Sequence, residues 1–113
     1  MQLNEMDQLA LDFNKKVREY FGDKVGNFVI LDVLNVPGHM EFRVEFDIYK
    51  YADISVTYEN GGISASILLS KYPKTLNVRA DYKTANFDEF FEKMKKEIEL
   101  RIPDKYLEAK GWK

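Results

Sequence analysis

From Met40 to Ile48 apolar and polar residues alternate without exception. Met40, Phe42, Val44, Phe46 and Ile48 fall on one side, and Glu41, Arg43, Glu45 and Asp47 on the other. Such a run constrains the fold more than any other feature of the chain, because a period of two is that of a β-strand with one face buried and one wet. It lies within a β-patterned block, residues 27–82, flanked on each side by sequence with helical periodicity. Two amphipathic helices are the natural cover for the apolar face of a sheet. The expected class is therefore α+β: an N-terminal helix, a meander-like antiparallel sheet of four to five strands, a C-terminal helix and a short helical tail. The helices are expected on one face of the sheet.

Punctuation along the chain supports this order. Asn4 reads as an N-cap with Asp7 three residues on, and Met6, Leu9, Ala10, Phe13, Val17, Tyr20 and Phe21 share one helical face up to a stop at Gly22. A first strand is expected over about 27–36, closed by a turn at Pro37-Gly38. The alternating strand then runs toward Tyr49, where residues 50–52 make either a hairpin or a kink. Asn60-Gly61 is the strongest hairpin signal, since both residues tolerate the positive φ of a type I′ turn. Two further strands follow, over about 63–70 and 76–82. A helix capped by Asn86 carries Phe87, Phe90, Phe91, Met94 and Ile98 on one face and ends before Pro103. Residues 104–110 form a further helical turn or two.

At 113 residues, residues 1–113 are expected to fold as a single globular domain with its own core. Lys and Arg number 17 against 19 Asp and Glu, a net charge of −2, with a pI near 5.5. A nucleic-acid partner is not expected, since such binders carry a basic stripe and a high pI. The absence of cysteine removes disulfides, thiolate nucleophiles and zinc–thiolate sites from consideration. No apolar stretch approaches the roughly 20 residues needed to span a bilayer, and no basic-then-apolar leader opens the chain. The expectation is a cytoplasmic protein with no membrane partner.

Signatures of chemistry are missing. Gly61-Gly62 stands alone in a hairpin turn, and Ser64, Ser66 and Ser70 read as the polar side of a strand. His39, the single histidine, falls beside the Pro37-Gly38 turn and reads as an exposed turn residue. Glu41, Glu45 and Asp47 share a strand face with Arg43 and read as a solvated surface of cross-strand ion pairs. Asp32 breaks the apolar pattern of the first strand, and an inward charge of this kind guards a sheet edge against stray pairing. No catalytic, cofactor-binding or metal-ligating residue is assigned, no cofactor is expected, and the chain does not read as an enzyme.

What remains points to contact. The first strand is apolar on both sides, with Phe28, Ile30, Leu34 and Val36 on one and Val29, Leu31 and Val33 on the other, so its spare stripe calls for cover. By parity Tyr49 and Tyr51 join the polar sheet face, where tyrosine favours interfaces. Trp112 either docks the tail or anchors a partner. The residues expected to meet a partner are thus Phe28, Ile30, Leu34, Val36, Arg43, Tyr49, Tyr51 and Trp112. The expected function is that of a small non-catalytic protein-interaction module, whether binder, inhibitor, immunity-type or chaperone-like protein. It would act through its sheet surface and first strand on another protein or a second copy. The alternative is a small-ligand-binding domain with an apolar pocket between sheet and helices, lined by Phe42, Phe46, Phe87, Phe90 and Phe91.

Overall fold

The computed structural model describes residues 4–68 and 74–111. Helix α1 (Glu5–Phe21) opens with the expected capping box. The Asn4 side chain accepts the Asp7 N–H at 2.8 Å, and the Asp7 carboxylate accepts the Asn4 N–H. Gly22, at φ 61°, stops the helix in a left-handed conformation that a β-carbon would disfavour. A short 3-10 turn, Gly22–Lys24, leads into five strands: β1 (Val25–Val36), β2 (His39–Ile48), β3 (Ala52–Glu59), β4 (Gly62–Leu68) and β5 (Lys74–Asp81). They form one antiparallel sheet in the order β1-β2-β3-β4-β5, the meander expected from the short turns. Helices α2 (Phe87–Glu99) and α3 (Asp104–Ala109) complete the chain.

The alternation of β2 becomes burial: Phe42, Val44, Phe46 and Ile48 are all at most 2% exposed. On the same face lie Ile54 and Val56 of β3, Ile63, Ala65 and Ile67 of β4, and Leu76 and Val78 of β5. α1 crosses β1 and β2 while α2 crosses β5, so both helices cover the one face. Where the helices meet, the Phe91 ring lies 5.3–5.9 Å from the rings of Phe13, Tyr20, Phe21, Phe87 and Phe90. These are tilted and edge-on pairs of the kind aromatic quadrupoles favour. α2 ends at Glu99, and the last helical hydrogen bond is the one from the Leu100 N–H to the Lys96 carbonyl, two residues short of Ile102. The Arg101 and Ile102 N–H groups instead bond the carbonyls of Ile98 and Glu99, a tightened turn that still buries Ile102 ahead of Pro103.

The turns carry the expected stereochemistry. Gly38 has φ 83°, and Asn60 and Gly61 have φ 46° and 101°. Asn60 also joins two hairpin ends: its side-chain carbonyl accepts the Met40 N–H at 2.9 Å and its amide donates to the Gly38 carbonyl at 3.1 Å. Between β2 and β3 the chain makes a hairpin, not a kinked strand. The Tyr51 N–H bonds the Ile48 carbonyl, and Tyr49 and Lys50 both sit at positive φ, 59° and 53°.

β1 departs from the sequence expectation. Its register against β2 shifts twice, between Gly26 and Val29 and between Leu31 and Leu34, and each shift holds a residue at positive φ, Asn27 and Asp32. Each is a β-bulge, which inserts one extra residue and so exchanges the two faces of the strand. Phe28, Ile30, Leu34 and Val36 therefore do not form one stripe. Phe28 and Ile30 turn to the helix side, Phe28 stacked on Phe46 at 5.2 Å and Ile30 opposite Val44. Val29, Leu31 and Leu34 stand opposite Glu45, Arg43 and Glu41 on the other face, with Val36 beyond them. The second bulge cancels the first, so only the stretch between them is inverted.

Candidate functional site

No described element lies over the second face of the sheet, and it divides into three zones. Along β1 runs an apolar strip, Val29, Leu31, Leu34 and Val36, of which Val29, Leu34 and Val36 are 42–47% exposed. In the middle, β3 and β4 present Ser55, Thr57, Ser64 and Ser66, short side chains that leave a low floor. Around these stand charges. The described strand residues on this face include Asp32, Glu41, Glu45, Asp47, Asp53, Glu59 and Asp81, against Arg43 and Arg79. A chain with a net charge of only −2 thus gathers much of its negative charge on one face.

Pairing of these charges is uneven. Arg43 holds Asp32 at 3.0 Å and Glu45 at 3.4 Å, joining the second bulge to the centre of β2. The second contact is Coulombic only, because Arg43 Nε is buried without hydrogen-bond geometry to any acceptor. Being half-exposed, these pairs add little to stability, about 0–1 kcal/mol each. At the two ends of β2 the strand register sets like charges directly opposite: Glu41 faces Glu59, and Asp47 faces Asp53. Asp47 accepts a hydrogen bond from the Asn27 amide at the first bulge. Among the described residues, no cation lies within ion-pair distance of Glu41, Glu59 or Asp53. Directly opposed like charges cost a sheet a few tenths of a kcal/mol to about 1 kcal/mol.

Each bulge adjoins a hollow. Asp32, Leu34, Glu41, Arg43 and Thr57 line one of about 400 Å³. Asn27, Asp47, Asp53, Lys50 and Tyr51 line another of about 530 Å³, with Asp23 and Lys24 at its rim. Neither gathers a nucleophile with a base. Among the described residues, no group of three or more His, Asp or Glu is placed to hold a metal ion, and no helix is long and apolar enough to cross a membrane. His39 is exposed at the start of β2, opposite Val36.

Tyr20, Tyr49, Tyr82 and Tyr106 are fasteners between elements, contrary to the expectation that Tyr49 faces solvent. The positive φ of the β2–β3 turn swings Tyr49 off the polar face and into the core, where it is 0% exposed. Its hydroxyl donates to Glu99 of α2, and its N–H bonds the Lys24 carbonyl at 2.7 Å. Burial, with the Glu99 charge, pushes its phenol well above the ordinary range. The Tyr106 hydroxyl donates to the Tyr49 carbonyl at 2.8 Å and holds α3 against the turn. Tyr20 donates to Glu92 at 2.6 Å, clasping α1 to α2. That hydrogen bond, helped by burial, raises the Tyr20 pKa to about 12 and draws the Glu92 carboxyl below its usual value. Tyr82 donates to Asp12 at 2.9 Å, and burial followed by that bond raises its pKa too.

Of the residues expected to meet a partner, then, Leu34, Val36 and Arg43 share the uncovered face, and Tyr51, 42% exposed, stands at its border. Phe28, Ile30 and Tyr49 pack inward, and Trp112 lies outside the described residues. Val29 and Leu31 belong to the face and were assigned to the wrong side. The signal for them was present in Asn27 and Asp32, the residue types that tolerate left-handed backbone, standing within an apolar strand. The chain matches no protein-family model, no curated protein and no solved structure.

Proposed function

We propose that this chain is a non-catalytic protein-interaction module of the cytoplasm that engages another protein through the uncovered sheet face and its β1 border. The observation that carries this reading is the strip of Val29, Leu31, Leu34 and Val36, large apolar side chains standing together on a face with no described cover. Single exposed apolar residues are ordinary on protein surfaces, whereas a contiguous row beside a low polar floor has the make-up of an interface. The small-ligand alternative draws less support. Phe42, Phe46, Phe90 and Phe91 are at most 3% exposed, and the Phe87, Phe90 and Phe91 rings pack against one another at 5.7–6.4 Å, filling the space a pocket would need.

Native mass spectrometry on the chain purified from its own host tests the reading. A partner protein at fixed stoichiometry is expected with the unaltered chain and is expected to be lost from Val29→Asp and Leu34→Asp, while the melting temperature of both variants holds. A partner retained by both variants would show that this face is not the contact.

A further inference from the structure

The two ends of β2 and the shape of β1 together say what kind of surface the uncovered face receives. A twelve-residue edge strand is a natural place for another strand to pair, but β1 is bent by its bulges at Asn27 and Asp32. Bulges break the row of backbone groups that edge pairing needs. A partner is thus directed onto the face, not the edge. There it meets the apolar strip of β1 and, beside it on β2 and β3, two opposed carboxylate pairs, Glu41 with Glu59 and Asp47 with Asp53, with Arg43 and Glu45 between them. Six residues along a strand separate these pairs by about 20 Å. A second copy of the chain docking face to face would set these carboxylates against carboxylates and bury them, which is unfavourable. A cationic surface would relieve the repulsion within each pair and cover the strip at the same time.

Resting on the contact reading above, we infer that the partner is a basic protein surface: an apolar patch seated face-on over the β1 strip, with lysine or arginine side chains reaching the two carboxylate pairs beside it. The carboxylate pairs cost the free protein stability and are repaid in the complex, so their neutralisation has opposite effects on the two. That reversal separates a binding role from a merely structural one.

The test uses the full chain, labelled with nitrogen-15, and a soluble peptide of lysines around a leucine patch, with a glutamate-for-lysine copy as control. The lysine peptide is expected to shift the amide signals of Val29, Leu31, Leu34 and Thr57, and the glutamate copy to leave them in place. Glu59→Gln and Asp53→Asn are each expected to weaken lysine-peptide binding about threefold, while raising the melting temperature by about 1–4 °C. No shift with the lysine peptide, equal shifts with both peptides, or shifts confined to the helices each overturn the inference. So does a homodimer, seen by sedimentation, that Leu34→Asp dissolves. A host partner that Leu34→Asp releases but Glu59→Gln and added salt leave bound would remove the cationic partner and spare the contact reading. A partner indifferent to Leu34→Asp would remove both.

Discussion

The two faces of this one sheet are built on different principles. On the covered face almost every group is answered: rings meet rings, and the hydroxyls of Tyr20, Tyr49, Tyr82 and Tyr106 each find an acceptor on another element. Among the described residues, a buried polar atom without a hydrogen-bond partner occurs on each side, Asn14 Oδ1 on α1 and Arg43 Nε on β2. On the uncovered face, however, apolar side chains stand in water and like charges oppose one another. Native proteins tolerate such local violations chiefly where they serve function. The contrast is what supports the proposal that the uncovered face is the side that meets a partner.

The largest expected effect tests the covered face. Phe91→Ala removes a ring that is 1% exposed and touches aromatic side chains from both helices, so unfolding free energy should fall by about 3–5 kcal/mol. Leu34→Ala on the other face should stay within about 0.5 kcal/mol. Urea unfolding of both variants checks the pair. Similar losses at the two sites would mean that Leu34 is packed and that the faces are not different in kind.

Alkaline titration probes the tyrosine fasteners. The Tyr20 phenol is raised in the folded state to about 12 from 10.0, so its contribution is complete below pH 10 and is lost as pH rises through about 12. The stability gap between the unaltered chain and Tyr20→Phe should be constant from neutral pH to 10 and close above it. A gap that instead closes in mild acid would place the titrating group on Glu92 alone.

At β1, Asp32→Val asks a β-branched residue to hold φ 53°, at a cost of about 1–2 kcal/mol, whereas Asp32→Asn should cost under about 0.5 kcal/mol. If the bulge slips, Leu34 and Val36 exchange faces with Val33 and Asn35, and the amide spectrum of the whole strand end would move. Equal stability of the two variants would show that backbone conformation does not hold the second bulge.

These residues also explain how far the sequence could be read. The alternation of β2, the caps at Asn4 and Asn86 and the turn at Asn60-Gly61 are local signals, each answered by its own stereochemistry, and they sufficed for element order and for meander topology. A bulge is not local: whether Asp32 pairs inward, edge-on or with Arg43 depends on the register of the neighbouring strand. Tyr49 shows the same limit, because parity assigns it to the polar face and only the left-handed turn, pinned by Lys24 and Tyr106, reverses that. Both faces of β1 were legibly apolar. Which residues belonged to which face required the two bulges.

The smallest expected effect concerns charge on the uncovered face, and it turns on sign. Surface ion pairs weaken as salt rises, so a face held together by Arg43 with Asp32 and Glu45 would lose stability on going from about 0.05 M to about 0.5 M sodium chloride. Opposed carboxylates behave in reverse, because screening relieves their repulsion. With two opposed pairs, and no described cation within ion-pair distance of Glu41, Glu59 or Asp53, the second effect should win, and the melting temperature should rise by about 1–3 °C over that range. In the Glu59→Gln, Asp53→Asn double variant most of that rise should vanish, since the repulsion that salt would screen is already gone. A rise of equal size in the double variant would assign the salt effect to the rest of the surface, and the two faces would then differ in packing but not in electrostatic strain.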